Sequence, residues 1–232
     1  MLDVIIPAKS NLEMTRQCCQ DVRVHSQVPV RIILVDSSEA GLLAPLRDIV
    51  DHTVEMPFRS LAGLWNAGAR AGQNEFVCWL NNDAFVGPDW TQLVIDLQEN
   101  PKLGVVSAVQ PEHYPAEVAS LTHYAPRTIL RSWWGLGETD GWPTFNGCCF
   151  VARRSSFDRI GGFDERFTLF REETDFVTQI NLTEEVGVDT RVRVRHLGNT
   201  TVQREPKMWD WHNASAQLFE DKWAWLKAEL TA

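Results

Sequence analysis

Apolar and polar positions alternate along the first half of the chain in blocks of two different periods. Leu2 to Pro7 and Arg31 to Asp36 are short apolar runs, and between them Met14, Cys18 and Val22 recur at helical spacing. Ser10 and Glu13 precede that stripe three residues apart and predict a capping box. The opening therefore reads β-α-β. A second unit follows. Ser60 to Ala71 reads as a helix, and Phe76 to Leu80 (FVCWL) is apolar throughout, as a strand covered on both faces must be. Asp89 is expected to cap a helix carrying Leu93, Val94 and Leu97 that stops before Pro101. Leu103 to Val109 reads as a further strand.

Beyond this the pattern breaks. Pro111 to Phe145 has no period and is rich in glycine, proline and aromatics, among them Trp133, Trp134 and Trp142. Long segments of this kind serve as lids or lie outside the fold, and Pro126 to Trp142 is expected to be more mobile than the sheet. Order returns at Cys148 to Ala152. Val188, Thr190, Val192, Val194 and His196 then alternate with Asp189, Arg191, Arg193 and Arg195, the mark of a half-buried strand. Trp209, His212, Ala216, Phe219, Trp223, Leu226 and Leu230 recur at three- and four-residue spacing and predict an amphipathic closing helix. The fold class that results is α/β: a mostly parallel central sheet with helices on both faces, plus a C-terminal helix. Such sheets bind ligands at the carboxyl ends of their strands. Pro7, Asp36 and Asn81-Asn82-Asp83 all stand at such ends.

Composition narrows the functions. At 232 residues the chain fits a single α/β domain. Its net charge of -9 argues against nucleic acid as a partner, since that binding runs on clustered cations. No apolar run approaches the ~20 residues that span a bilayer, so no transmembrane segment is expected. The chain starts without a basic leader and reads as cytoplasmic, with docking on a membrane surface through a partner left open. Five cysteines in no metal or disulfide spacing read as small core residues.

Three groups could carry chemistry. Asp83 at a strand end can hold a hard divalent cation through oxygen, although a polar turn has the same composition. Glu173 opens a helix on the face of Phe176, Val177 and Ile180, at the rim of the core, where a carboxylate can act as a general base. Acids in a first helical turn also simply favour the dipole, and Glu172, about 100° round the helix, is assigned to that role. His196 ends the alternating strand on its apolar side, with Gly198 to turn the chain back, and is a candidate further metal contact.

The order of these pieces carries a resemblance. VIIPAKS (4–10), ILVDSSE (33–39), SLAGLWNAG (60–68), WLNNDAFVGPDW (79–90), NGCCFVARRSSFDRIGGFDERF (146–167), REETDF (171–176) and HLGNTT (196–201) together resemble the family 2 glycosyltransferases, of GT-A fold. NASAQLFEDKW (213–223) is similar to the closing helix of many members. The resemblance covers almost the whole chain. It implies one GT-A domain over 1–232, with a nucleotide-sugar half (1–110) and an acceptor half (111–232) that includes a flexible segment at 111–145.

Residue by residue, the resemblance puts Pro7, Ala8, Asp36, Ser38, Asn66, Asn81, Asn82 and Asp83 at the nucleotide-sugar, which would be UDP-, GDP- or dTDP-linked. Asp83 and His196 fall on metal positions, for Mn²⁺ or Mg²⁺. Glu173 falls on the catalytic base. Trp133, Trp134, Trp142, Glu172 and Asp175 are candidates for the acceptor, a saccharide or another hydroxyl compound. Two departures stand out: Asn81 replaces the usual first Asp of the metal motif, and Glu173 replaces the usual Asp base. The implied reaction is inverting and metal-assisted. Two alternatives are a non-catalytic sugar- or nucleotide-binding domain and a nucleotidyltransferase, the latter disfavoured because no Gly-rich basic loop follows the first strand.

Overall fold

The computed structural model describes residues 1–39, 41–111, 119–127, 145, 147–198 and 206–231. Trp133, Trp134 and Trp142, and most of the 126–142 segment, lie outside the described residues. The strands are β1 (Leu2–Ala8), β2 (Val30–Asp36), β3 (His52–Glu55), β4 (Phe76–Leu80), β5 (Ala84–Phe85), β6 (Leu103–Val109), β7 (Leu121–Tyr124), β8 (Cys149–Arg153), β9 (Glu185–Arg193) and β10 (Arg195–His196). The helices are α1 (Leu12–His25), α2 (Leu61–Ala71), α3 (Gln92–Glu99), α4 (Arg154–Ile160), α5 (Glu172–Asn181) and α6 (Met208–Thr231).

Eight strands form one sheet in the order β3-β2-β1-β4-β8-β6-β9-β7. β1 to β4 pair in parallel, as do β6 and β9, while β8 runs antiparallel between β4 and β6 and β7 closes the far edge antiparallel. The α/β class and the mostly parallel sheet are therefore as expected. β5 and β10 form a separate two-stranded ribbon. The apolar runs fill two core layers, one on each face of the sheet. One holds an aromatic cluster in which Trp79 stacks on Phe150 at 5.2 Å and Phe163 stacks on Phe176 at 4.1 Å. The five cysteines are buried and form no disulfide.

Local details correct the sequence reading at several points. No Ser10–Glu13 capping box forms; α1 starts at Leu12 after Asn11, which takes a left-handed conformation at φ 63°. α3 begins after Thr91, two residues beyond the expected Asp89 cap. On α6 the apolar stripe is out of phase at its start. Trp209 is 67% exposed, while Trp211 turns inward and Phe219, Trp223 and Leu226 are buried. Asp189, expected on the outer face with the arginines, is fully buried.

Two buried carboxylates tie elements together away from the strand ends. At the start of β1, Asp3 accepts from Arg154 Nη2 (2.9 Å), Asn74 N (2.8 Å) and Asn74 Nδ2 (2.7 Å). In α3, Asp96 accepts from Arg191 Nη2 at 2.7 Å, and Arg191 also grips Asp189 at 2.8 and 2.9 Å. Burial, together with the adjacent Asp189, pushes the Asp96 carboxyl up to about 6. The folded protein then holds a proton that the unfolded chain releases near pH 4, so this group's contribution to stability falls as pH rises from about 4 to 6. Urea unfolding across that range should show a decline on the order of 1–3 kcal/mol, and Asp96→Asn should flatten it.

Candidate active site

A cavity of about 300 Å³ opens at the carboxyl ends of the parallel strands. Its first wall is the end of β1 (Pro7, Ala8 and Lys9) with Ser37 just beyond β2. Asp36 itself turns aside; its Oδ1 accepts from Ser38 N at 2.9 Å and Ser38 Oγ at 2.6 Å. Asp36 and Ser38 therefore brace the turn that presents Ser37, and neither lines the cavity.

The second wall is the Asn81-Asn82-Asp83 turn after β4. It is held from both sides. Asn81 N donates to Cys148 O at 2.9 Å, and Asn82 Nδ2 donates to Thr15 Oγ1 at 2.9 Å. The β5–β10 ribbon pairs His196 with Ala84 and so brings His196 onto the turn. His196 Nε2 lies 3.1 Å from Asp83 Oδ1 and 3.3 Å from Asn81 Nδ2. With a proton on Nε2 the ring donates to Asp83; without it the same nitrogen accepts from Asn81 or can meet a cation. Gly198, at φ 66°, turns the chain just after this contact.

The third wall is the start of α5, where Glu172 and Glu173 both line the cavity. The two residues before them, Phe170 and Arg171, each sit at φ 67°, a sparsely populated conformation for a residue with a side chain. That strained turn aims Phe170 into the cavity and starts the helix at Glu172. Glu173 packs directly over Gly147: a Cβ added there would lie 2.6 Å from Glu173 Cγ. Burial raises the carboxyls of both Glu173 and Glu172, with the neighbouring Glu173 adding to the latter. Glu172, expected either to serve the helix dipole or to meet the acceptor, is only 4% exposed and lines the cavity.

Two expected contacts lie away from this cavity. Asn66 is 1% exposed and does not reach the cavity. Its Nδ2 donates to Phe163 O and its Oδ1 accepts from Phe163 N, both at 2.9 Å, clasping the 161–167 loop to α2. Asp175 is fully buried on the far side of α5, where Lys222 Nζ and Trp223 Nε1 donate to it, at 2.8 and 2.9 Å. It fastens α6 to α5.

Other cavity residues escaped the sequence reading. Phe58, between β3 and α2, meets Trp211 of α6 at 5.9 Å between ring centroids, and Lys9 Nζ lies 5.4 Å from the Phe58 ring. Phe58 lies two residues before Ser60, whose hydroxyl accepts from Gly63 N at 2.9 Å and caps α2. Trp211 could have been found only with the correct helical phase. Among the described residues no group of three or more His, Cys, Asp or Glu gathers as a metal cage, and no helix is long and apolar enough to cross a membrane.

A sheet of this topology with acids gathered at its strand ends defines a glycosyltransferase domain of the GT-A class. The sequence profile described as glycosyl transferase family 2 matches residues 3–161, and the chain belongs to that family. A relative, the O-antigen biosynthesis protein RfbC of Myxococcus xanthus, is 25% identical over 202 residues. Those cover 78% of this chain but only 16% of RfbC. Similar solved structures include the mannosyltransferase PcManGT from Pyrobaculum calidifontis in complex with GDP-Man and Mn2+. Its TM-score is 0.59 at 19% identity, over 82% of this chain and 56% of that one. TarS from S. aureus has a TM-score of 0.63 at 11% identity, over 96% of this chain and 72% of that one. At such identities the two structures speak to the fold alone.

Gly147→Ala should leave the sheet intact but push Glu173 off its seat. Turnover is expected to fall at least tenfold with nucleotide affinity retained, since small misplacements of groups that line a reaction cavity cost that much or more. Steady-state kinetics beside calorimetry of the best nucleotide checks it.

Proposed function

We propose that this domain transfers a sugar from a nucleoside-diphosphate sugar to an acceptor hydroxyl with inversion, Glu173 acting as general base and a divalent cation assisting at Asp83. The observation that carries this reading is the convergence of Asp83–His196 and Glu172–Glu173 on one cavity at the strand ends. Pro7, Ala8 and Ser37 offer a nucleoside wall beside it.

The donor set suits Mg²⁺ or Mn²⁺. Asp83 supplies a carboxylate and His196 an imidazole, and the diphosphate oxygens and water would complete the shell, as is usual for cations held by few protein ligands. When bound there, the cation would neutralise charge developing on the diphosphate. Asn81, in place of a second carboxylate, donates its amide to His196 Nε2 only while no cation takes that nitrogen's lone pair, and would give way when one does.

Glu173 suits the base because burial raises its proton affinity toward the operating range without closing it from the cavity. Its carboxylate takes the proton from the acceptor hydroxyl as that oxygen attacks the anomeric carbon, and the diphosphate leaves from the opposite face. Phe58, Phe170 and Trp211 would exclude water from that space and so limit hydrolysis of the donor. Segment 111–145 and α6 are the acceptor side of this reading, and the mannosyl donor of one structural relative makes GDP-mannose a sensible first probe.

Two measurements test the assignment. Asp83→Ala should abolish the Mn²⁺-dependent part of nucleotide-sugar affinity in calorimetry; full retention of that part removes Asp83 from the cation site. Glu173→Gln should keep folding and donor affinity while turnover drops about a hundredfold to ten-thousandfold, the range for a positioned acid or base. Near-normal turnover in that variant would exclude Glu173 as the base.

A further inference from the structure

One polar group on the cavity wall has no use in the mechanism above. Glu172 is more than nine-tenths buried, it faces the cavity, and its Oε2 has no hydrogen-bond partner among the described residues. An uncommitted polar atom this deep carries a desolvation penalty that a ligand can relieve. The strained Phe170–Arg171 turn holds the side chain there. We propose that Glu172 is a sugar-binding residue whose uncommitted oxygen takes a ring hydroxyl of the sugar held in the cavity, a role that rests on the transferase reading.

The chemistry of the position selects a hydroxyl. Burial and the adjacent Glu173 both favour the protonated form of Glu172. Two adjacent acids that burial holds above the usual range titrate as a pair, and Glu172 is the less exposed of the two. A protonated carboxyl both donates and accepts, as a sugar hydroxyl does. A cation would need the ionised form that burial opposes, and Asp83 already offers a carboxylate elsewhere on the wall. The rest of the wall fits a sugar ring: Phe170 and Trp211 line the same cavity and offer apolar faces to ring C–H groups.

Glu172→Gln and Glu172→Leu separate this role from the others, because Gln keeps a group that donates and accepts while Leu removes it. The probes are GDP, GDP-mannose, UDP and UDP-glucose in calorimetry, with turnover measured on the best donor. All three proteins should bind the bare diphosphates equally. Gln should keep turnover within a few-fold of wild type, and Leu should lose about tenfold in sugar recognition, the worth of one hydrogen bond. A loss in the affinity ratio of nucleotide-sugar to nucleotide identifies the donor sugar; a loss confined to acceptor KM identifies the acceptor. Infrared difference spectra should show a protonated-carboxyl band in wild type that Glu172→Gln lacks. A Gln variant as inactive as Glu173→Gln, an unchanged Leu variant, or a wild type without the band overturns the proposal. A wild type that binds none of the nucleotides overturns the donor reading itself, and this proposal with it.

Discussion

The grip of Asn66 on Phe163 is the contact on which the geometry of the cavity depends. One amide satisfies both main-chain groups of a single residue, in a place without water. Asn66 lies on α2, which packs on β1 and β2 so closely that Gly68 has no room for a Cβ: Ile5 would be 2.2 Å away. Phe163 stacks on Phe176 of α5. A line of rigid contacts thus runs from the parallel strands through α2 and the 161–167 loop to the helix that carries Glu172 and Glu173. Gly162, at φ 89° and with Asn66 Oδ1 only 2.5 Å from where a Cβ would be, allows the loop to approach.

Acids do three different jobs here, and environment decides which. Asp164 is held well below the usual carboxylate range by Arg166 and then Lys222, and serves as a permanent anion that anchors α6. Asp175 is buried with the same lysine and secures the opposite side of that contact. Among the described residues no ion pair holds Glu172 or Glu173, and burial raises both, with Arg171 opposing it at Glu173. The sequence REETDF contains all the ingredients without saying which acid points where.

What could be read from the sequence follows from this. FVCWL declared a doubly covered strand because every position is apolar, and the strand-end triplet after it landed on the cavity. Asn66 stood inside one of the segments that carry the resemblance, yet it works inside the protein; only the partner at Phe163, almost a hundred residues away, reveals that. Of the two acceptor candidates on this helix, Glu172 lines the cavity and Asp175 lies against α6, since helical phase near a first turn depends on where the helix begins. The left-handed Phe170 and Arg171 that set this start belong to no residue preference. On α6, Trp209 matched the apolar spacing but faces outward, because the helix docks through Asp175 and Lys222 rather than through its first aromatic.

The antiparallel insertion of β8 has a consequence for how the chain reaches this fold. β4 and β6 are neighbours in sequence order among the long strands, but neither pairs with the other; both wait for Cys149–Arg153. Until those residues arrive, β4 presents an open edge made wholly of apolar side chains, the kind of surface that invites pairing with another chain. A ribosome-bound or truncated chain that stops in the segment before β8 would therefore be sticky rather than half-finished and soluble. Pieces cut at that segment should recombine only by strand complementation, with one fragment supplying the missing rung between two edges of the other.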